Sequence, residues 1–298
     1  MFNLIAAMRC VAAIALAVTF AQAQAQPADA PEQAFEAAAQ AAQAAAIAGP
    51  RDVPLKEQAV LKLPAGMQFI PQPAAGRLMQ AMGNTSDDRL LGLVKSAGDS
   101  PWLVVARWEP AGYIKDDDAK DWNADELYAG LKDGTAEANK RRKELGFPEL
   151  EIVGWVQKPA YDAATHRLVW SMAARTTGEQ GQSQSVNYNT YALCREGYMT
   201  LNLITALPDI ERDKPAAHTL LASLAYKDGK RYEDFNAGTD KVAAYGLAAL
   251  VAGVAAKKLG LLAVVLAFAA KFAKVLLLGG AGVVAVLAKV FGRKDTRA

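Results

Sequence analysis

The sequence predicts an α+β fold, an antiparallel sheet with helices packed on one side, plus a C-terminal transmembrane helical hairpin. Three observations lead to this prediction. Short runs of β-branched and aromatic residues follow one another with short loops, which favours antiparallel neighbours. Segments with helical spacing of apolar residues stand before and after these runs. The last part of the 298-residue chain is mostly Ala, Val, Leu and Gly, as membrane segments are.

Charge is unevenly distributed along the chain, although the formal net charge is only +2. Residues 51–240 carry 23 Lys and Arg against 27 Asp and Glu, whereas residues 241–298 carry nine against one. A nucleic-acid-binding protein would place its basic surface on the folded domain, so we expect no nucleic-acid partner. The basic and apolar C-terminal part predicts a segment that contacts the lipid of the inner membrane.

The N-terminal residues have the three parts of a secretory signal peptide, which we place at 1–25. Arg9 precedes an apolar stretch, and small-x-small patterns follow at Ala21-Gln22-Ala23 and Ala23-Gln24-Ala25. The next segment, 26–50, is rich in Ala and Gln and is predicted to be a linker with helical propensity. Cleavage removes Cys10 and leaves Cys194 alone, so no internal disulfide is expected.

The C-terminal segment 241–292 is predicted to be a membrane anchor, and 293–298 a basic tail. Lysines divide it into apolar runs of 15, 12 and 14 residues, each shorter than the ~18 of a clear span. Lysine side chains extend such runs by snorkelling. We expect a helical hairpin with spans near 242–262 and 273–291. The alternative is one span near 273–291, preceded by an interfacial segment.

Between these ends, residues 51–235 are predicted to form the α+β domain. A Pro64-Ala65-Gly66 turn predicts a hairpin between two strands, because Pro presets φ and Gly takes positive φ. Asn123 is a good N-cap for the clearest helix, and Glu126 follows three residues later. The predicted helices are 73–82, 124–143 and 209–225, and the predicted strands are 58–63, 67–71, 102–108, 150–157, 166–175, 186–194 and 198–205.

Four segments together resemble one known family. They are GYIKDDDAKDWNADEL (112–127), GWVQKPAYDAATHRLVW (154–170), VNYNTYALCREGYMTLNL (186–203) and KVAAYGLAALVAGVAAKKLG (241–260). The order of these motifs is similar to that of the membrane-anchored bacterial proteins of domain of unknown function 2167. The resemblance covers roughly residues 51–292 and implies a signal peptide, an extracytoplasmic domain and a C-terminal anchor. It implies no activity, so no catalytic residue is assigned.

An acidic cluster is the best chemical candidate in the sequence: Asp116, Asp117, Asp118 and Asp121. Dense carboxylates are ligands for Ca²⁺ or Mg²⁺, the only cofactors the sequence suggests. The spacing is not that of an EF-hand, because Glu126 and Lys132 occupy the positions of its Gly and its last Glu. The alternative is an exposed loop whose acids favour the N-terminus of the next helix.

Other catalytic signatures are missing from the sequence. The two histidines, His166 and His218, have neither a nearby Cys nor an HExxH pattern, and no GxSxG, GxxxxGK[ST] or GxGxxG motif occurs. We therefore expect an envelope protein in the inner membrane, its main domain on the periplasmic side, that binds an envelope protein partner or another ligand. The alternative is a membrane-tethered enzyme or ligand sensor that uses the acidic 116–121 loop with a divalent cation.

Overall fold

The computed structural model describes residues 30–252, except 85, 99, 121, 145 and 179–183. The predicted signal peptide, Asp121 and most of the predicted anchor, 253–292, lie outside the described residues, as does the basic tail. The helices are α1 (Ala30–Ala44), α2 (Ala74–Ala81), α3 (Ala124–Glu144), α4 (Ile210–Ser223) and α5 (Leu247–Ala252). The strands are β1 (Ile47–Ala48), β2 (Arg51–Leu55), β3 (Ala59–Leu63), β4 (Met67–Pro71), β5 (Leu90–Ser96), β6 (Leu103–Glu109), β7 (Leu150–Asp162), β8 (Arg167–Thr176), β9 (Ser185–Cys194), β10 (Gly197–Ala206) and β11 (Leu224–Tyr226).

The strands form two sheets. The large sheet has eight strands in the order β1-β4-β5-β6-β10-β9-β8-β7, and the small one has three in the order β11-β3-β2. All neighbouring strands in both sheets are antiparallel, and β7 to β10 follow one another as a meander. The α+β class with a large antiparallel sheet is therefore confirmed.

Both faces of the large sheet are covered, so the prediction that helices pack on one side is wrong. On one face, Val104, Ala106 and Tyr188 share a core with α4 and the small sheet. On the other face, Val105 packs with α1 and α2, and Tyr191 packs with α3 and α5. The central strands carry apolar residues on both faces, and each apolar face has to be removed from water.

The predicted hairpin around Gly66 also differs from the structure. Both strands exist, but β3 pairs with β2 and β11 in the small sheet, whereas β4 pairs with β1 and β5 in the large sheet. Gly66 has φ of 78°, as its turn requires. The turn was therefore identified correctly, but it connects two sheets instead of two paired strands.

The domain extends beyond the predicted limits of 51 and 235. At its N-terminal side, Ala38 and Ala42 of α1 are buried in the same cluster as α2, within the predicted linker. At its C-terminal side, Leu247 and Val251 of α5 are fully buried, although they belong to the predicted anchor segment. None of the helices within residues 30–252 combines the length and apolar character that a membrane crossing needs.

One buried carboxylate links α4 to the large sheet. Asp213 is only 2% exposed and accepts hydrogen bonds from the Thr205 hydroxyl at 2.6 Å and from the Arg212 guanidinium at 2.8 Å. Burial raises the pKa of Asp213, but the hydrogen bonds from Arg212 and Thr205 outweigh it and leave the pKa below its ordinary value. The ionised form therefore stabilises the fold.

Replacing Asp213 with asparagine is expected to lower the free energy of unfolding at pH 7 by about 1.5–3 kcal/mol, the usual value for hydrogen bonds to a charged group. Because the folded pKa is depressed, this stabilisation is present above the unfolded pKa of about 3.9 and is lost as pH falls through the folded pKa. Urea unfolding at pH 7 and pH 3 should give a smaller difference between the two proteins at pH 3. The exposed Asp52→Asn serves as control; an equal loss at both pH values would contradict the prediction.

Candidate functional site

The turn between β7 and β8 brings several polar and titratable side chains together. Asp162 fixes the turn by accepting hydrogen bonds from the Ala164 amide at 3.0 Å and the Thr165 hydroxyl at 2.7 Å. His166 has φ of 51°, in the left-handed region that non-glycine residues rarely adopt. Its carbonyl accepts a hydrogen bond of 3.0 Å from the Leu193 amide on β9. The backbone at His166 is therefore held by the Asp162 turn before it and by β9 beside it.

Three polar groups meet beside this turn. The Tyr161 hydroxyl donates to Asp116 Oδ2 at 2.8 Å and lies 3.1 Å from His166 Nδ1, which is 3.8 Å from the same carboxylate oxygen. Burial, followed by the contact with Asp116, raises the pKa of Tyr161, so the phenol keeps its proton. A phenol has one hydrogen, and Asp116 accepts it. The phenolic oxygen can then accept a hydrogen bond from the Nδ1–H tautomer of His166.

Stacked aromatic rings hold this group in place. The His166 ring lies on Tyr232 with centroids 4.0 Å apart and an interplanar angle of 27°. Tyr232 also stacks on Tyr113 at 4.4 Å, and Tyr113 stacks on Phe235 at 3.8 Å. The Tyr232 hydroxyl donates to the Ile114 carbonyl at 2.7 Å. The imidazole orientation is therefore set by a ring that is itself fixed in the core.

A first cavity of about 460 Å³, called cavity 1, opens next to His166. Its walls come from the β7–β8 turn, β9, β11 and the segment that carries Tyr232: Ala164, Thr165, His166, Arg167, Ala192, Leu193, Leu224, Ala225, Tyr226, Arg231, Tyr232 and Glu233. Arg231 is paired with Asp228 at 2.5 Å. Within the described part of the chain, the half-buried Arg167 guanidinium makes neither a hydrogen bond nor an ion pair. Asp162 lies opposite Arg167 on the β7–β8 pair, and the pKa of its carboxyl is lowered by the Thr165 and Ala164 hydrogen bonds and, to a smaller extent, by the Arg167 charge.

A second cavity of about 310 Å³, called cavity 2, shares Thr165 and Arg167 with cavity 1 and includes Tyr161 and His218. His218 Nε2 lies 3.0 Å from the Tyr188 hydroxyl, which donates to Gln157 Oε1 at 3.2 Å. Burial, with a smaller effect of the Lys214 charge, lowers the pKa of His218. His218 is therefore a neutral member of the wall at pH 7, and Arg167 remains the cation common to both cavities.

The structure gives the predicted acidic residues different partners. Asp116 belongs to the group around Tyr161, whereas Asp118 accepts hydrogen bonds from the Leu247 and Ala248 amides at 2.9 and 3.1 Å and caps α5. Asp117 is exposed, and Asp121 lies outside the described residues. Among the described residues, no group of three or more His, Cys, Asp and Glu side chains is placed to hold a metal ion.

Sequence reasoning did not find the group formed by Asp116, Tyr161 and His166. No pattern in the sequence pointed to Tyr161, and His166 has neither a nearby Cys nor an HExxH pattern. Their spacing of five residues across a turn has no sequence signature, and Asp116 is 45 residues from Tyr161. The one usable signal was the turn sequence between Asp162 and His166, because Asp-initiated turns bring the residues on either side together.

The fold and the site define a class: an α+β protein with an antiparallel meander and a polar, aromatic cleft beside one of its turns. The chain belongs to the family described as protein of unknown function, DUF2167, whose model matches residues 47–281. No curated protein matches the sequence significantly. A solution structure of cyanobacterial PsbP (CyanoP) from Synechocystis sp. PCC 6803 is similar at 12% identity and a TM-score of 0.36, over 61% of this chain and 91% of that one.

Proposed function

We propose that this protein is a membrane-anchored envelope protein whose domain lies on the periplasmic side of the inner membrane and binds an anionic group. That group belongs to a small ligand or to an envelope protein partner. The membrane location is supported by the signal-peptide pattern of residues 1–25 and by the apolar, basic segment near the C-terminus. Protease added to intact spheroplasts should digest the domain, and the protein should stay in the pellet after a carbonate wash. A domain that resists the protease in intact spheroplasts would contradict the proposed location.

The proposed binding activity depends on one observation: the Arg167 guanidinium lines both cavities and forms neither a hydrogen bond nor an ion pair in the described chain. The nearest described acid on its strand pair, Asp162, interacts with it through charge alone. A half-buried cation loses part of its hydration, and a partner carboxylate or a bound anion normally compensates for this loss. A guanidinium matches carboxylate and phosphate oxygens in a bidentate geometry. Cavity 1, with its volume of about 460 Å³, has room for a small anion beside Arg167.

Replacing Arg167 with glutamine should abolish anion binding while leaving the fold intact, because the guanidinium makes no hydrogen bond or ion pair in the described chain and loses only its charge interaction with the exposed Asp162. Phosphate and citrate at millimolar concentration should raise the melting temperature of the native protein and have no effect on Arg167→Gln. The exposed Arg51→Gln is the matched control and should respond like the native protein. Without ligand, each variant should stay within about 0.5 kcal/mol of native stability. Equal responses of native protein and Arg167→Gln would overturn the anion site.

The second candidate function, an enzyme or sensor with a metal ion at the acidic loop, is favoured by a different observation. Of the described acidic residues in that loop, Asp116 is the one that meets a histidine and a tyrosine. This arrangement favours a metal site formed by Asp116 with a tyrosine and a histidine, whereas the sequence predicts one formed by carboxylates.

A further inference from the structure

We propose that Asp116, Tyr161 and His166 form a site for one transition-metal ion that accepts a phenolate ligand, ferric iron or cupric copper. The ligand atoms are Asp116 Oδ2, Tyr161 Oη and His166 Nδ1. The site adjoins cavity 1 through His166 but does not depend on anion binding at Arg167.

The distances between the three atoms fit one central ion. The sides of the triangle are 2.8, 3.1 and 3.8 Å. A circle through these three atoms has a radius of about 1.9 Å, and metal–ligand bonds to nitrogen and oxygen are about 2.0–2.2 Å. An ion slightly outside the plane of the triangle would therefore contact all three atoms without rearrangement of the backbone. The His166 and Asp116 side chains are 26% and 29% exposed, so the ion can enter from solvent.

The chemistry of the three donors selects the kind of ion. Ca²⁺ and Mg²⁺ prefer oxygen ligands and are poorly served by an imidazole. Imidazole suits iron, copper and zinc, and Cu²⁺ binds most tightly of the divalent ions in the usual order. A carboxylate and a phenolate together supply two negative charges, which favours a trivalent or strongly Lewis-acidic ion. When the ion binds, the Tyr161 O–H bond breaks, the metal–oxygen bond forms, and the proton passes to solvent.

The surroundings of the site are organised before any ion arrives. The imidazole is stacked on Tyr232, whose hydroxyl is bound to the Ile114 carbonyl, so the orientation of His166 is fixed. Ile114 is fully buried two residues before Asp116 and anchors the segment that brings the carboxylate. Outer contacts of this kind hold metal ligands in position and increase affinity. The hydrogen bond from Tyr161 to Asp116 keeps the two oxygens together in the metal-free protein.

The test uses the full chain in detergent, freed of metal and titrated with ferric citrate or copper sulfate. The expected result is one ion per chain and a visible phenolate-to-metal charge-transfer band. Tyr161→Phe should remove the band, and Asp116→Asn and His166→Gln should each weaken binding at least tenfold. Asp117→Asn, which removes the same charge from the neighbouring exposed residue, should bind like the native protein.

Three results would overturn this assignment. The first is no visible band with either ion, and the second is a band that persists in Tyr161→Phe. The third is an equal loss in Asp117→Asn and Asp116→Asn, which would indicate diffuse binding to the acidic loop. Because His166→Gln removes a ligand without touching the phenol, it keeps the test decisive if Tyr161→Phe folds poorly. The phosphate titration of the metal-free protein tests Arg167 separately, so failure of one proposal is distinguishable from failure of the other.

Discussion

Replacing Leu247 with alanine is expected to lower the free energy of unfolding of the α+β domain by about 2–5 kcal/mol, as removal of a buried leucine side chain usually does. Leu247 is 0% exposed and belongs to the cluster that contains Tyr191, Leu250 and Val251. Alanine loses the transfer free energy of the removed carbons and leaves a cavity under α5. The loss of stability lies near the upper end of this range if the hydrogen bonds from Asp118 keep α5 from moving into the cavity.

Urea unfolding of the full chain in detergent, followed by tryptophan fluorescence, measures this loss. Trp155 and Trp170 pack in the same cluster as Leu247 and report on its opening. Val242→Ala is the control, because this valine is 41% exposed and its replacement should change stability by less than about 0.5 kcal/mol. A Leu247→Ala protein with native unfolding behaviour would mean that α5 is not part of the domain core. The predicted first span near 242–262 would then no longer conflict with the packing of α5.

The packing of α5 also bears on how the chain is anchored. Residues 247–252 contact the domain through the Leu250 carbonyl, which accepts a hydrogen bond of 3.1 Å from the buried Tyr191 hydroxyl. If 242–252 stays in the domain, the first span near 242–262 keeps only ten residues, fewer than the ~20 that cross a bilayer. The packing of 247–252 in the domain core therefore disagrees with a first span that begins at 242.

Elements defined by local patterns were predictable. The strands β7 to β10 were predicted from runs of β-branched and aromatic residues joined by short loops, and α3 was predicted from its N-cap. Asn123 Oδ1 indeed accepts hydrogen bonds from the Asp125 and Glu126 amides at 2.8 and 3.4 Å. Elements that depend on distant partners were not predictable. The helix α1 has only alanines to bury, and its docking depends on the shape of α2, which composition does not reveal.

The candidate site was unpredictable for the same reason. Residues 116–118 are three consecutive aspartates, and their density predicts a cation site. That prediction assumes that the three neighbouring side chains face the same point. The fold separates them, because Asp118 satisfies the unpaired amides at the start of α5 while Asp116 accepts from Tyr161. The proposed site therefore combines a loop residue, Asp116, with Tyr161 at the end of β7 and His166 of the following turn. Asp116 is distinguished from the neighbouring acids by these partners and not by local charge.

The second large effect is expected from Tyr226→Phe, which should lower the free energy of unfolding by about 2–4 kcal/mol. The Tyr226 hydroxyl donates to the Ala192 carbonyl at 2.6 Å and accepts from the Met199 amide at 3.2 Å. Ala192 and Met199 face each other on β9 and β10, so this hydroxyl completes the hydrogen bonding of that pair. Phenylalanine keeps the ring but leaves a buried donor and a buried acceptor unsatisfied, at about 1–3 kcal/mol each before relaxation.

Urea unfolding gives the stability loss, and amide hydrogen exchange locates it, because the Met199 amide should lose protection first. Tyr128→Phe is the matched control, since its hydroxyl makes one long contact of 3.4 Å to the Ile152 carbonyl. Its loss should be below about 1 kcal/mol. Tyr226 also lines cavity 1. Native stability of Tyr226→Phe would therefore mean that a water molecule from this cavity replaces the hydroxyl. Cavity 1 would then be hydrated next to Tyr226, which the proposed anion site does not require.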